Sequence, residues 1–430
     1  MDANRKTAYY TLVDVESKKS YSNIALNHHV ISGKPSSPAF VRELVYGVLE
    51  NKILLDYIID HFTQTKVADM KVSDLIVLRM GIYQLGYMNS VPEYAAVNEC
   101  VNLAKRFCQG REGFINAVLR TYIREKYKVK LPDRSEDEIR HLSIKYSYEP
   151  WIVELWLEQY DMEFVEELLK AGNETPELVV RANWLRIMRE ELINRLGALG
   201  YTIEKGKLYE DALHIKGCAG SVTDTKLYKY GMFSIQDEAS MLVAAILDPK
   251  HGDLVMDVCA APGGKTLAIA ERMNNKGKII ASDIYIRKLG IIDREAKRLG
   301  ITIVETRTWD AAKIDSDMIE KADRVLVDAP CSGLGVIRRK PEIKYKKRSN
   351  EIDLLPRKQL EFLSAASKYV KPGGVLVYST CTINSAENQK VIVEFLKKNP
   401  FFQKEEEIQL MPNVNGTDGF FICKMINVKA

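Results

Sequence analysis

Residues 253–266 read DLVMDVCAAPGGKT: a short, nearly continuous apolar run, an acid, and two adjacent glycines ahead of the helical pattern KTLAIAERM (265–273). A run of that length bounded by turn residues reads as a strand buried on both faces. Working outward, four more segments share its character: GKIIASD (277–283), ITIVETRT (301–308), DRVLVDAP (323–330) and GGVLVYST (373–380), with helical stretches such as IDREAKRLG (292–300) between them. Strand and helix in regular alternation predict a parallel sheet covered on both sides. FFQKEEEIQL (401–410) and GFFICKMI (419–426) are joined by the turn-rich MPNVNGTDG (411–419) with no helix between, and predict an antiparallel pair at the sheet edge. Residues 231–430 are therefore expected to form a Rossmann-like α/β domain with a mostly parallel seven-stranded sheet.

Upstream the periodicity changes. Residues 1–130 repeat apolar side chains at three and four positions, as in Leu44, Val48 and Leu49, then Leu75, Leu78, Ile82 and Leu85, then Phe114, Ile115, Val118 and Leu119. That spacing predicts an all-α bundle. The charged REKYKVKLPDRSEDE (124–138) reads as a connector. Residues 131–230 are expected to hold linker helices, packed through Trp151, Leu155, Trp156, Phe164 and Leu168, and then a small α+β subdomain. Its strand is ELVVRAN (177–183), its helix IMREELINRLGAL (187–199) and its strand-turn-strand YTIEKGKLYEDALHIKG (201–217).

The chain has 430 residues, 46% hydrophobic and 28% charged, with a formal net charge of only +4. So small an excess does not announce nucleic acid by bulk charge; any basic patch must be local. No run approaches the roughly 18 apolar residues of a membrane span, and the first twenty residues lack an apolar signal core, so a cytoplasmic protein with no membrane partner is expected. The seven cysteines (100, 108, 218, 259, 331, 381 and 423) nowhere form C-x2-C, and the six histidines, His28 and His29 among them, show no metal-like grouping. Free thiols and no metal site follow.

In open α/β sheets ligands bind beyond the carboxyl ends of the strands, so the loops there are the ones to question. Asp257-Val-Cys-Ala-Ala-Pro-Gly-Gly-Lys-Thr266 follows the first strand. It lacks the dinucleotide pattern G-x-G-x-x-G, and a phosphate loop would need glycine where Cys259 stands. Asp283 ends the second strand, where a carboxylate commonly accepts from a ribose diol, and Asp310 follows the third. Either acid alone reads as a helix cap. Three loops offering polar groups to one nucleoside without a phosphate cradle point to S-adenosyl-L-methionine.

The fourth strand runs into Asp328-Ala-Pro-Cys331 and the fifth into Ser379-Thr-Cys381. Neighbouring strands lie about 4.8 Å apart, so two cysteines at their carboxyl ends can address one small site. The pair suits a reaction in which thiolate addition to C6 of a pyrimidine makes C5 nucleophilic enough to take a methyl group. Asp328 can hydrogen-bond or protonate the ring at N3. Methylation of an exocyclic amine has no use for such a pair.

DVCAAPGGKT (257–266), DAPCSGLGVIRRKPEIKY (328–345) and YSTCTINSAEN (378–388) closely resemble the RNA cytosine-C5 methyltransferase family, a class I methyltransferase fold. QDEAS (236–240) and VRAN (180–183) are similar to the family's approach to that fold and to its small RNA-binding subdomain. LRMGIYQLGYMNSVPEYAAVNECVNLAKRF with FINAVLR is similar to a NusB-type helical domain, which one branch of the family, acting on 16S ribosomal RNA, carries in front. The resemblance implies Cys381 as nucleophile, Cys331 in product release, and cofactor contacts from Cys259, Ala260, Ala261, Pro262, Gly263, Gly264, Lys265, Asp283, Asp310 and Asp328. Lys288 stands where a helix arginine is common, and TWD (308–310) replaces the usual glycine-Asp.

Residues 338–348, RRKPEIKYKKR, carry seven basic side chains and one acid immediately after the fourth-strand motif. They predict phosphate contacts from Arg338, Arg339, Lys340 and Lys344, with Tyr345 available to stack on a base. The expected partner is 16S ribosomal RNA, naked or in an early assembly intermediate, met by a monomer. The same chemistry on transfer RNA or another ribosomal site, and a non-catalytic RNA-binding assembly or antitermination factor, are the alternatives. Both cysteines being present weighs against the latter, and a nicotinamide oxidoreductase lacks its glycine pattern.

Overall fold

The computed structural model describes residues 2–217, 220–346 and 349–429; Cys218, Lys347 and Arg348 lie outside them. It divides into two compact units: Met1–Glu174 with Ile337–Arg348, and Thr175–Val336 with Ser349–Ala430. Among the described residues no helix is long and apolar enough to cross a membrane.

The first unit is helical, as its periodicity requires. Asp2 caps the helix Ala3–Ser17 by accepting from the Asn4 and Arg5 amides, and Ser37 with Pro38 opens Pro38–Glu50. Leu44, Val45, Ile76, Leu78, Cys100, Leu103, Ile115 and Leu119 close its core. The helices Glu138–Tyr146, Pro150–Leu157 and Met162–Ala171 belong here as well. Leu142, Ile152, Trp156 and Leu168 are buried, and the compact helical unit runs on past 131 to Glu174.

Ile337–Arg348 brings a correction. Lys344 is fully buried, and its ammonium donates to the carbonyls of Glu50 (2.9 Å) and Tyr146 (3.3 Å) and to Asn173 Oδ1 (2.8 Å). Glu50 and Tyr146 are the last residues of their helices, whose terminal carbonyls have no partner within the helix. A cation there also meets the negative end of each helix dipole. The Tyr345 hydroxyl donates to the adjoining Leu49 and Ser147 carbonyls. Glu342 serves the opposite kind of terminus, accepting from the amide and hydroxyl of Ser22 where the helix Ser22–Gly33 begins. Glu342, Lys344 and Tyr345 thus clip helix ends; the buried Lys344 ammonium is not available to RNA, and the half-exposed Tyr345 has its hydroxyl engaged. Arg338 is buried too, whereas Arg339 and Lys340 are half-exposed.

The second unit holds two sheets. β1 (Leu178–Ala182), β2 (Thr202–Lys205), β3 (Ala212–Gly217) and β4 (Phe233–Ile235) form an antiparallel sheet in the order β2-β3-β1-β4. β4 lies beyond the expected boundary at 230; three residues are too few for a strand period to declare itself. The large sheet comprises β5 (Leu254–Asp257), β6 (Lys278–Asp283), β7 (Val304–Thr308), β8 (Ala322–Asp328), β9 (Val370–Thr380), β10 (Phe402–Leu410) and β11 (Phe420–Asn427), in the order β10-β11-β9-β8-β5-β6-β7. β5 to β9 pair in parallel and β10 and β11 antiparallel, as expected. Strand order reverses between β5 and β8, so the loops leaving β5, β8 and β9 converge at the switch point.

Candidate active site

Asp257 ends β5 fully buried, with Oδ2 accepting from the Thr266 hydroxyl at 2.7 Å. That bond ties the strand end to the helix Gly264–Arg272 and fixes the loop between them. Burial raises the Asp257 carboxyl to about 7. Gly263 turns the loop with φ 107°, and a Cβ there would stand 2.9 Å from Ile292 Cγ1. Only glycine suits the position, for its backbone angle and for the space.

Lys265 Nζ lies 2.8 Å from Asp328 Oδ2 and 4.7 Å from the centre of the Phe420 ring. Burial works against its charge, but the Asp328 carboxylate outweighs that and keeps the ammonium above its usual range. Ser379, opposite Asp328 in the β8/β9 register, donates to Asp328 Oδ1 at 2.8 Å. Asp328 is therefore held at both oxygens on the strand ends.

Asp283 accepts from the Tyr285 amide (2.9 Å) and Asp310 from the Ala312 amide (3.0 Å), so each does the local capping that a bare acid suggests. Their grouping goes further. Burial first, then the fields of Asp257, Asp328, Asp283 and Asp310 together, push the Cys259 thiol well above its usual range. Acids grouped around one glycine-turned loop, Asp283 and Asp310 among them, suit a cationic sulfonium nucleoside. They do not suit a nucleotide phosphate, which would add negative charge to negative charge.

Cys331 and Cys381 meet beside this loop with their sulfurs 3.3 Å apart. The hydrogen bond to Cys381 and burial hold the Cys331 thiol well above its ordinary range. Ser379 and the wholly buried Glu387 are the site residues that sequence reasoning passed over. The available signal was that Glu387 is the lone acid between Glu361 and Glu394, inside the fifth-strand motif.

A parallel sheet with an acid-lined glycine loop at its switch point defines an S-adenosyl-L-methionine-dependent methyltransferase of the Rossmann-like class. Family models agree along the chain: NusB family over residues 2–124, the ferredoxin-like domain of RsmF/B-like methyltransferases over 148–221, and 16S rRNA methyltransferase RsmB/F over 244–426. The chain is 40% identical to the probable ribosomal RNA small subunit methyltransferase B of Bacillus subtilis, covering 98% of each, and 31% identical to that of Vibrio vulnificus, covering 98% of this chain and 99% of the other. The chain belongs to the ribosomal RNA small subunit methyltransferase B family. Among solved structures it resembles PH0851, with TM-score 0.85 and 26% identity over 99% of both chains. It also resembles NSun6 from Pyrococcus horikoshii with SFG, with TM-score 0.60 and 26% identity over 65% of this chain and 98% of the other.

Proposed function

We propose that the protein methylates C5 of a cytosine in 16S ribosomal RNA through a covalent bond from Cys381 to C6. The observation that carries this reading is the pair of sulfurs 3.3 Å apart at the ends of neighbouring strands, beside the Lys265–Asp328 ion pair. The cofactor would be held by the Cys259–Lys265 loop with Asp283, Asp310 and Asp328. When bound, it supplies an electrophilic methyl group to C5.

Cys381 adds as thiolate to C6, and the electrons of the C5=C6 bond move toward C5 and the ring. Asp328, fixed by Lys265 and Ser379, would meet the ring at N3; it eases that addition only when it carries a proton, which the Lys265 ammonium 2.8 Å away can pass to it. After methylation the C5 proton passes to a water molecule, the C5–H electron pair restores C5=C6, and the C6–S pair returns to Cys381. The Cys331 S–H donates a hydrogen bond to the departing sulfur. Because C6 is hidden in a paired stack, the target cytosine must be unpaired or extruded.

The relatives named for small-subunit ribosomal RNA favour that substrate over transfer RNA. Bisulfite mapping of ribosomal and transfer RNA from cells lacking the protein tests the reading. Loss of one C5-methylcytosine in 16S RNA is expected; loss only in transfer RNA moves the substrate, and no loss anywhere favours a non-catalytic RNA-binding role.

A further inference from the structure

The two cysteines of the site emerge from equivalent strand ends and touch each other, so distance alone does not decide which is nucleophile and which is helper. Their surroundings differ. Cys381 interacts electrostatically with the Lys265 ammonium. Near the pair stands Glu387, fully buried with no cation among its hydrogen-bond partners in the described residues.

Glu387 grips both cysteine loops. Its Oε2 accepts from the amide of Ser332, the residue after Cys331, at 2.8 Å and from Gln359 Nε2 at 3.0 Å. Oε1 accepts from Asn384 Nδ2 at 3.1 Å and lies 3.5 Å from the hydroxyl of Thr382, the residue after Cys381. Ser332 and Thr382 share a further hydrogen bond of 2.8 Å across the two loops. One carboxylate therefore joins the loops that carry the two thiols, and its charge bears on Cys331.

We propose that Glu387 is a positioning residue that clasps the two cysteine loops and keeps Cys331 as the protonated hydrogen-bond donor to the Cys381 sulfur. The proposal rests on the covalent reading for its consequence in turnover, though not for its effect on the thiol. Among the ionisable groups bearing on Cys331 are Cys381, Glu387 and Tyr378, the last a phenol whose own hydroxyl donates to the Glu387 carbonyl. Of these three, Glu387 is the carboxylate. The hydrogen bond to Cys381 and burial lead in holding the Cys331 proton, and the like charge of Glu387, which disfavours a thiolate, adds to them through the step in which C6–S breaks.

The test uses the full-length protein in the Cys381→Ser background, which removes the competing thiol. The pH dependence of Cys331 alkylation by iodoacetamide is followed by peptide mass spectrometry with Glu387, Glu387→Gln and Glu387→Asp. The midpoint is expected to fall by about one pH unit or more with Gln and to stay near the parent value with Asp, which keeps the charge. With both cysteines present, Glu387→Gln should accumulate denaturant-resistant protein–RNA adduct at least tenfold over the parent while cofactor affinity holds. An unchanged alkylation midpoint with Gln overturns the proposal, as does an equal shift with Asp. A shifted midpoint with no adduct in either Glu387→Gln or Cys331→Ala would leave Glu387 in its role and overturn the covalent reading instead.

Discussion

Cys331 Sγ and Cys381 Sγ stand 3.3 Å apart, close enough for one to donate a hydrogen bond to the other, while the Lys265 ammonium acts on Cys381. A thiol that gives up its proton and one that keeps it are both needed in the proposed cycle, and the removal of each has a different signature. Cys381→Ala is expected to lower methyl transfer to unmodified 16S RNA below detection with cofactor binding intact. Cys331→Ala should still transfer one methyl group per enzyme and then stop as a covalent protein–RNA species, visible as a shifted band on a denaturing gel. Full turnover by Cys381→Ala would reassign the nucleophile.

Buried Lys344 and half-exposed Lys340 are four residues apart, and they separate the structural from the RNA-contacting reading of the basic segment. Lys344 serves two helix ends; burial brings its ammonium down to about 7, against the opposing pull of Glu50. Lys340 lies over the Tyr21 ring at 5.3 Å. Lys344→Met is expected to lower the melting temperature and leave the salt dependence of RNA binding unchanged. Lys340→Ala should reduce the slope of log K against log salt by about one, with little change in melting. Fluorescence anisotropy over a salt series and thermal melts distinguish the two.

That segment also marks where sequence reading stops. The strands β5 to β9 are legible because burial on both faces leaves apolar runs, as in Val325, Leu326 and Val327, and because turn residues bound each run. The chemistry is legible for the same topological reason, since residues after adjacent strands must converge. Lys344 is different: its acceptors on Glu50, Tyr146 and Asn173 are distant in the chain, and a count of local charge cannot register uncovered carbonyls that far away. Glu387 is a lone acid in its motif, but its reach to the Ser332 amide, 55 residues away in the chain, is what no local pattern displays.

His214 on β3 links the small sheet to the helix Glu238–Leu247 and makes stability depend on pH. Its Nε2 lies 2.9 Å from Glu238 Oε2, and Nδ1 meets Glu177, which also pairs with Lys216. Glu238, almost wholly buried, also accepts from the Leu208 and Tyr209 amides. The hydrogen bond to Glu238 leads in raising the imidazole above its usual 6.5, against burial. A raised folded value stabilises fully below the unfolded pKa and loses that stabilisation as pH rises through the folded one. His214→Gln is therefore expected to cost about 1 kcal/mol more at pH 6 than at pH 9 in urea unfolding. An equal cost at both values would mean that the imidazole charge contributes nothing.

Arg181 on β1 and Glu271 at the end of the helix behind the cofactor loop form a bidentate pair, with Nε to Oε2 at 3.0 Å and Nη2 to Oε1 at 2.8 Å, and both side chains almost completely buried. Arg181 Nη1 also reaches Gln236 Oε1 and the Gly264 carbonyl, so one guanidinium joins the small sheet, the QDEAS segment and the start of that helix. Removing only the cation strands a buried carboxylate, and breaking such a pair costs about 3–5 kcal/mol. Arg181→Met should lose that much stability in urea unfolding, and its cofactor affinity should fall because Gly264 loses a partner beside the glycine turn. Arg181→Met with Glu271→Leu removes both charges and should regain most of the stability. If the Arg181–Gly264 contact matters to the cofactor loop, the double variant will still bind cofactor more weakly than the parent by isothermal titration. Affinity restored together with stability would show that the pair contributes packing alone.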